Sequence, residues 1–301
     1  MTTRSGYVPR LQVLATAILF STGGAVIKAT SFTGWQVAGL RCGIAALAVL
    51  ILLPVSRRGW NRRTLLVGCA YAGALICYAM ANKLTTAAST IFLFSSSPLY
   101  ILFLGPLILR EPLRRRDLFF VLAFALGLSL VFLDAQPATV TAPDPLKGNV
   151  LAALGGFFFA FIVIGFRWMS LASRTGETSA TSALAVGNLI GFLICLPFAL
   201  PLGTTTPMDW ALISYLGVLQ IGLAYFLLIA ALRRLPALEA SLLILIEPVL
   251  NPIWAWWLHG EKPGPLTLTG GAVILLVTAG MTLVSAWMGR RSGQLASSSG
   301  Q

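Results

Sequence analysis

Residues 84–109, LTTAASTIFLFSSSPLYILFLGPLIL, contain no charged side chain. A helix needs about 20 apolar residues to cross the hydrocarbon core of a membrane, and this stretch exceeds that length. A second uncharged run, Leu266–Gly289, has the same property near the C-terminus. Both runs predict helices that span a lipid bilayer, and they indicate the fold class of the rest of the chain.

The composition agrees with a membrane protein and argues against other classes. Of the 301 residues, 57% are hydrophobic and only 10% are charged, whereas charged residues make up about 25% of an ordinary soluble domain. So few charges cannot cover the surface of a soluble enzyme, and such a hydrophobic chain is not disordered. The net charge of +12 does not indicate a nucleic-acid partner, because the basic residues occur in short clusters between long uncharged runs, as in membrane loops.

Ten apolar segments of spanning length follow one another, and short connections rich in Pro, Gly, Thr and Arg join them. We therefore predict an all-α integral membrane protein with ten transmembrane helices. The tail 292–301 is small and polar, which predicts disorder. The predicted segments, numbered 1 to 10, cover residues 10–29, 34–53, 64–82, 88–109, 117–135, 148–170, 179–200, 209–231, 236–258 and 265–288.

The distribution of Lys and Arg predicts the orientation in the membrane. Sixteen of these residues fall on the side of the chain termini and four on the other side, while Arg41 lies inside segment 2. Cytoplasmic loops carry the excess of basic residues in membrane proteins. We therefore expect both termini in the cytoplasm of a multi-pass protein of the bacterial inner membrane.

The sequence offers little for metal or cofactor chemistry. The four cysteines lie inside apolar segments without C-x-x-C spacing, and His259 is the only histidine. The cysteines fit buried apolar positions better than a disulfide framework or a metal site. No Walker A sequence occurs, which argues against ATP hydrolysis by that route. We predict no metal and no cofactor.

The two halves of the chain repeat a short pattern. Ser-Pro-Leu-Tyr at 97–100 matches Glu-Pro-Val-Leu at 247–250, and Arg-Glu-Pro-Leu at 110–113 aligns with Gly-Glu-Lys-Pro at 260–263, both with an offset of 150 residues. Each half holds five segments, and because five is odd the second copy enters the membrane from the opposite side. We predict two five-helix repeats of inverted topology, at 10–135 and 148–288.

The chain resembles the drug/metabolite transporter superfamily, and within it the EamA-type exporters. The resemblance rests on five plus five helices, on Pro98 and Pro248 in the fourth helix of each half, and on Glu-Pro or Glu-x-Pro after that helix. It implies alternating access through a central cavity between the halves, in a protein similar to bacterial exporters of aromatic or other hydrophobic amino acids. The four-helix multidrug relatives use a carboxylate in their first helix, but residues 11–29 contain no acid, so that model of proton coupling does not carry over.

Glu247 lies near the middle of segment 9. A charge at this depth costs on the order of 2–3 kcal/mol or more, so the side chain must face the interior of the bundle or be protonated. One interpretation is that Glu247 meets a substrate amine or titrates during transport. Another is that it neutralises Arg41, the only basic residue well inside a segment, and ties segments 2 and 9 together. The two interpretations are compatible, and Arg41 itself is suited to a substrate carboxylate.

Pro98 and Pro248 each remove a backbone donor in mid-helix, so that carbonyl groups near Phe94 and Ile244 lose their usual partners. Such polar backbone survives in a membrane only where protein or cavity water satisfies it. The prolines therefore predict either structural kinks or hinges with a polar lining. The serines at 95–97 favour the lining, although small residues also permit close helix packing.

Paired glycines occupy matching places in the two halves, Gly23–Gly24 in segment 1 and Gly155–Gly156 in segment 6. Each pair predicts a bend or a close approach between helices.

Polar and aromatic side chains of segments 3, 4, 8 and 9 can meet near the middle of the membrane. Helical spacing places Tyr78 with Asn82 on one face, and Glu247 with Asn251 and Trp254 on another. The alternative for each residue alone is interhelical packing with its polar atoms satisfied. The predicted substrate-binding residues are Tyr78, Asn82, Ser97, Tyr100, Gln220, Glu247, Asn251 and Trp254.

These observations favour a secondary transporter, not an enzyme, that exports small amphipathic metabolites, above all amino acids, as a monomer or homodimer. Export of another metabolite or drug class in the same fold is the alternative. A membrane enzyme would need clustered reactive side chains beside a base, and the sequence offers one histidine and one mid-membrane carboxylate. A passive pore would need a polar stripe along several helices, and polar residues are sparse here.

We predict that a reporter fused after Arg291 shows a cytoplasmic C-terminus and that a reporter in the loop 136–147 shows a periplasmic position. The measurement uses two reporters, one active only in the cytoplasm and one only in the periplasm. A periplasmic signal from the C-terminal fusion contradicts the ten-helix topology, because ten spans return the chain to the side on which it began.

Overall fold

The computed structural model describes residues 7–109, 115–134, 137–172, 176–232, 234–235 and 237–298. A 3₁₀ turn, Pro54–Arg57, follows the third helix, and a π-helical segment, Tyr215–Leu223, joins the tenth helix to the eleventh. The α-helices of the described part are α1 (Tyr7–Ser21), α2 (Gly23–Ala29), α3 (Gly34–Leu52), α4 (Arg62–Leu84), α5 (Ala87–Phe94), α6 (Ser97–Leu109), α7 (Arg115–Leu133), α8 (Pro145–Ala172), α9 (Gly176–Ala199), α10 (Pro207–Ser214), α11 (Ala224–Leu232), α12 (Ala237–Ile244), α13 (Ile246–His259) and α14 (Pro265–Ser298).

These helices form ten apolar segments. Within the described residues, nine stretches are long and apolar enough to cross a membrane, and Leu118–Leu133 in α7 is a shorter apolar helix. Segment 1 consists of α1 and α2, segment 4 of α5 and α6, segment 8 of α10, the π-helical segment and α11, and segment 9 of α12 and α13. The predicted all-α fold with ten membrane helices is confirmed.

The packing of the segments follows the twofold relation expected between inverted repeats. Segment 2 packs on segment 7, and segment 5 packs on segment 10, so equivalent segments meet each other. Segment 3 packs on segment 6, and its counterpart, segment 8, packs on segment 1. Segment 4 also packs on segment 6, and its counterpart, segment 9, packs on segment 1. Segments 4 and 9, which carry the repeated prolines, therefore occupy equivalent places.

Segments 4 and 9 are interrupted just before these prolines. α5 ends at Phe94, and α12 ends at Ile244. A proline has no N–H to donate to the carbonyl group four residues earlier, and Phe94 and Ile244 carry the carbonyl groups that lose this partner at Pro98 and Pro248. The helices break where the sequence places the missing donors, while a hinge motion at either proline stays a prediction.

A glycine of segment 6 covers the carbonyl groups at the break in segment 4, of which that of Phe94 lacks its helical donor and that of Leu93 accepts from Ser96. A Cβ atom on Gly156 would lie 2.9 Å from the carbonyl oxygen of Phe94 and 3.0 Å from that of Leu93. Only glycine permits this approach, and its Cα–H group then faces the two oxygens as a weak donor. Gly156 thus serves the close packing that the paired glycines predict.

The bundle has two ends, which we call the basic end and the opposite end. The basic end carries the arginine-rich connection at 57–63, the starts of α1 and α7, and the last turns of α14. The opposite end carries the connections between segments 1 and 2, 3 and 4, 5 and 6, 7 and 8, and 9 and 10. This division follows from the chain path alone and leaves open which end faces the cytoplasm.

Polar contacts fasten segment 1 and the loop after it to other segments at the opposite end. They are the ion pair of Lys28 with Glu261 at 2.8 Å, the hydrogen bond of Lys83 Nζ to the Thr30 carbonyl at 2.7 Å, and the hydrogen bonds from the amide and hydroxyl of Ser31 to the carboxylate of Asp209 at 2.7 and 2.8 Å.

Segments 4 and 9 have different neighbours at the two ends. At the opposite end α5 packs on α13 and α14. Towards the basic end α6 packs on α8 and α7, whereas α12 packs on α1, α14 and α13. The two segments therefore meet at the opposite end and diverge towards the basic end.

Two sequence predictions concern residues at or beyond the limits of the described part. α14 is described to Ser298, so the backbone of residues 292–298 is helical where the sequence predicts disorder; no proline after Pro265 interrupts the helix. Glu111, the repeat counterpart of Glu261, lies outside the described residues. The repeat limits 10–135 and 148–288 stay a prediction.

Candidate substrate-binding site

Four predicted binding residues converge on the break in segment 1. The break between α1 and α2 leaves Gly23 and Gly24 buried in the bundle. A Cβ atom on Gly23 would lie 2.7 Å from Gln220 Nε2 and 3.6 Å from Tyr78 Oη. A Cβ atom on Gly24 would lie 2.9 Å from both Asn82 Oδ1 and Asn251 Oδ1. We call the side chains of Tyr78, Asn82, Gln220 and Asn251 the central cluster.

Hydrogen bonds hold the central cluster together. Asn82 Nδ2 donates to the carbonyl group of Tyr78 at 2.9 Å, and Asn251 Nδ2 donates to the hydroxyl group of Tyr78 at 3.3 Å. Gln220 Nε2 donates to the carbonyl group of Phe20 at 3.5 Å, in the last turn of α1. The hydrogen bonds join segment 3 to segment 9 and segment 8 to segment 1, and packing on Gly23 and Gly24 brings the two pairs to one place.

The π-helical geometry of segment 8 helps to present Gln220. This residue lies inside the π-helical stretch Tyr215–Leu223 and is buried. A π-helix is rare, appears mostly as a short bulge within an α-helix, and is frequently found at functional sites.

Several buried polar atoms in this region have no hydrogen-bond partner among the described residues. About 90% or more of buried polar groups in proteins are hydrogen-bonded, so a concentration of exceptions marks a place that water or a ligand completes. These atoms are the side-chain oxygens of Asn82, Asn251 and Gln220, the hydroxyl oxygen of Tyr71, and Nε and Nη1 of Arg41.

Arg41 and Glu247 lie beside the central cluster without forming an ion pair with each other. Arg41 is 3% exposed, and its Cζ lies 5.7 Å from the centroid of the Tyr78 ring, a cation–π contact. Glu247 lies four residues before Asn251 on segment 9, one helical turn away from the cluster. The direct pair of Arg41 with Glu247 that the sequence leaves open is not formed.

Glu247 lies in the first turn of α13 because segment 9 breaks before Pro248. The N-terminus of a helix favours a carboxylate, since the first amide groups point towards it. The break thus lowers the cost of holding a negative charge at this depth. In the part of the chain that the structure describes, Glu247 belongs to no group of three or more His, Cys, Asp or Glu side chains that could hold a metal ion.

Aromatic rings surround the cluster on several segments. The rings of Phe20, Phe94 and Tyr225 are only half-buried although each contacts another interior ring, so part of their surface remains accessible. The ring centroids are 5.2 Å apart for Phe20 with Tyr225, 5.2 Å for Tyr78 with Phe94, 5.4 Å for Phe94 with Phe159, and 6.2 Å for Tyr71 with Tyr225.

The remaining predicted residues lie at the edge of the cluster or away from it. Trp254 Nε1 donates to Ser21 Oγ at 2.9 Å, which ties segment 9 to the end of α1. The ring of Tyr100 packs against Phe157 of segment 6 at 5.5 Å, and Ser97 begins α6. The structure thus brings Trp254 to the break in segment 1 and places Tyr100 against segment 6.

Tyr71 belongs to this region although the sequence analysis does not select it. Its hydroxyl group lies near that of Tyr225 without hydrogen-bond geometry, and the charge of Arg41 acts on it. Tyr71 stands seven residues before Tyr78, so two helical turns place both on one face of α4. This spacing indicates that the two tyrosines share a face, but it does not indicate which face of α4 points inward.

We predict that Gly24→Ala lowers the free energy of unfolding by about 1–3 kcal/mol, the usual cost of forcing a methyl group into a packed core. The new Cβ would lie 2.9 Å from the side-chain oxygens of Asn82 and Asn251 and 3.1 Å from the Ala87 Cβ, and these neighbours belong to three segments. Gly105→Ala is the matched control, because nothing lies within 4 Å of a Cβ there. Thermal unfolding in one detergent measures both, and equal midpoints would contradict the close approach at Gly24.

Comparisons with known proteins place this fold in a family. The model described as the EamA-like transporter family matches residues 10–133 and 146–285, once in each half. A crystal structure of another protein aligns with a TM-score of 0.60 and 18% identity over 93% of this chain and 98% of its own. A likeness at that identity supports the fold alone.

Relatives from several organisms carry transporter names. The pseudopaline exporter CntI of Pseudomonas aeruginosa (strain UCBPP-PA14) is 26% identical over 88% of this chain and 92% of its own length. The threonine/homoserine exporter RhtA of Escherichia coli (strain K12) is 28% identical over 60% of each chain, and the uncharacterized transporter YetK of Bacillus subtilis (strain 168) is 27% identical over 70% of this chain and 67% of its own. With one family match in each five-helix half, the chain belongs to the EamA-like transporter family.

Proposed function

We propose that this protein is a secondary transporter that exports small amphipathic metabolites, and that hydrophobic or aromatic amino acids are its substrates. Membership of the family establishes a transporter; the substrate class and the direction are the proposal. It rests on one observation: Arg41, buried without an ion-pair partner among the described residues, lies over the ring of Tyr78 in an aromatic-lined polar cluster, and the segment that supplies Asn251 to this cluster also carries Glu247.

The two charges match the two ends of an amino acid. An amino acid carries an ammonium and a carboxylate group on one carbon atom, so a small molecule beside Tyr78 meets Glu247 with one group and Arg41 with the other. A buried guanidinium without a counter-ion costs several kcal/mol, and a substrate carboxylate would offset this cost. The half-buried rings of Phe20, Phe94 and Tyr225 would pack on an apolar substrate side chain.

The names of two relatives support export as the direction of transport. One is called a threonine/homoserine exporter and the other a pseudopaline exporter. These names describe those proteins. For this chain they favour export as the direction, and the first of them favours an amino acid as the substrate.

The proposal also assigns an orientation to the bundle. In the proposed orientation this end and both termini face the cytoplasm of a bacterial inner membrane, and the excess of basic residues at the basic end supports it. Segments 4 and 9 diverge towards this end, so the described conformation would admit substrate from the cytoplasm. Release would follow when the opposite end opens, as alternating access requires.

We predict that purified protein in proteoliposomes exchanges amino acids, and not sugars or nucleosides, in a counterflow assay. Glu247→Gln should lower the exchange rate at least about tenfold, because removing one partner of a buried charged contact costs about 2–5 kcal/mol. Glu239→Gln is the matched control, since Glu239 forms an exposed pair with Arg10 away from the cluster. It should exchange at the wild-type rate.

Analogues separate the two charges. A decarboxylated amine should depend on Glu247 and be indifferent to Arg41→Met, whereas a deaminated acid should show the reverse. The proposal fails if Glu247→Gln exchanges amino acids at the wild-type rate, or if sugars or nucleosides exchange and amino acids do not.

A further inference from the structure

A buried ion pair lies at the opposite end, away from the central cluster. Lys28 Nζ is 2.8 Å from Glu261 Oε1, and each side chain is only 3% exposed. Lys28 is near the end of α2 in segment 1, and Glu261 is in the connection between segments 9 and 10. The pair therefore joins the two repeats, since it links the first segment of one to the last connection of the other.

Both partners also hold the beginning of segment 4. Glu261 Oε2 accepts a hydrogen bond from the amide of Ala87 at 2.9 Å, and Ala87 is the first residue of α5. Lys28 Nζ donates to the carbonyl group of Thr85 at 2.7 Å, in the short connection between α4 and α5. Glu261 thus holds the first residue of α5 and Lys28 holds the connection before it, at the one half of segment 4 that packs on segment 9.

A break in the helix separates α5 from the rest of segment 4. The helix is interrupted at Ser95 and Ser96, between α5 and α6. A half-helix bounded by such a break can shift as a body while the other half stays in place. Opening the opposite end requires α5 to leave α13 and α14, and this movement separates Ala87 from Glu261.

A buried ion pair stabilises only the conformation in which both of its ions are buried. Removing two ions from water costs several kcal/mol for each, and only the mutual attraction in good geometry offsets this cost. When the opposite end opens, water reaches both ions and the reason for pairing is lost. Such a pair stabilises the closed arrangement and adds little to the open one.

The ion pair at the basic end differs in this respect. Arg10 pairs with Glu239 between α1 and α12, but the two side chains are 48% and 36% exposed. An exposed pair contributes little, because water and salt screen it in either state. Of the ion pairs among the described residues, the one at the opposite end is therefore the one that stabilises a closed arrangement.

We propose that Lys28 and Glu261 form the lock of the opposite end: the pair holds α5 closed, keeps the unloaded protein open at the basic end, and breaks when the opposite end opens. This inference rests on the alternating access of the proposed function. It adds the residues that set the resting state, and it concerns conformation and not the substrate.

The test follows the reactivity of a buried thiol at α5. Ala88→Cys puts a reporter in the first turn of α5, where Ala88 is 1% exposed. The background carries Cys69→Ser, because Cys69 is exposed while the other three native cysteines are buried. The rate of labelling by a maleimide is measured on the purified full-length protein in lipid nanodiscs, without substrate.

We expect Lys28→Met and Glu261→Gln each to raise the labelling rate at least about fivefold, because loss of the lock raises the population of the open state. The double variant should label no faster than the faster single variant, since the two residues act as one pair. Lys262→Met, at an exposed neighbour of Glu261, and Glu239→Gln, at the other ion pair, should label at the parent rate.

A second reporter separates opening from unfolding. Ala183→Cys lies in segment 7 at 0% exposure and should stay unreactive in every variant. If Lys28→Met fails to fold, Glu261→Gln decides alone, because its side-chain oxygen still accepts from the Ala87 amide. Parent-rate labelling of a folded Glu261→Gln protein overturns the lock, and so does an equal rise in Lys262→Met. Neither result depends on transport, so failure of the exchange assay leaves this test intact.

Discussion

The structure depends on one constraint: a backbone polar group inside a membrane must find a partner within the protein. Pro98 and Pro248 remove donors at the middle of segments 4 and 9, and both helices end at the carbonyl groups left free. Gly156 covers the free carbonyl of Phe94 in segment 4. The break in segment 9 starts a new helix whose first turn carries Glu247. The same constraint that interrupts the helices thereby creates a favourable place for a charge.

Charged side chains in the bundle fall into two kinds with different consequences. Lys28 and Glu261 are buried as a pair and also bind backbone groups, so their charges are compensated inside the protein. Arg41 and Glu247 form no ion pair with each other, so neither supplies the counter-ion of the other. A compensated pair suits a structural contact that changes between conformations. Uncompensated charges suit the binding of a molecule that carries both signs.

Sequence reasoning predicted the elements of this fold and most of the residues that meet at its centre. The ten segments, the breaks before Pro98 and Pro248, and the small residues of segment 6 all follow from local rules of length, hydropathy and backbone donors. Tyr78, Asn82, Gln220 and Asn251 were predicted as binding residues, and they do converge. Tyr71 was missed and Tyr100 packs elsewhere, because periodicity groups residues on a helical face without giving the direction of that face.

The sequence by itself determined the class of protein, the number of membrane segments and the repeat between the halves. These properties depend on composition and on contacts close along the chain, and hydrocarbon enforces them on every segment alone. Only the tertiary structure decided that Arg41 and Glu247 do not pair, that Lys28 meets Glu261, and that segments 4 and 9 meet at one end. Those facts depend on the rotation of each helix about its axis and on its depth beside its neighbours. Packing between segments that are distant along the chain sets the rotation and the depth, and neither can be read from the sequence of one segment.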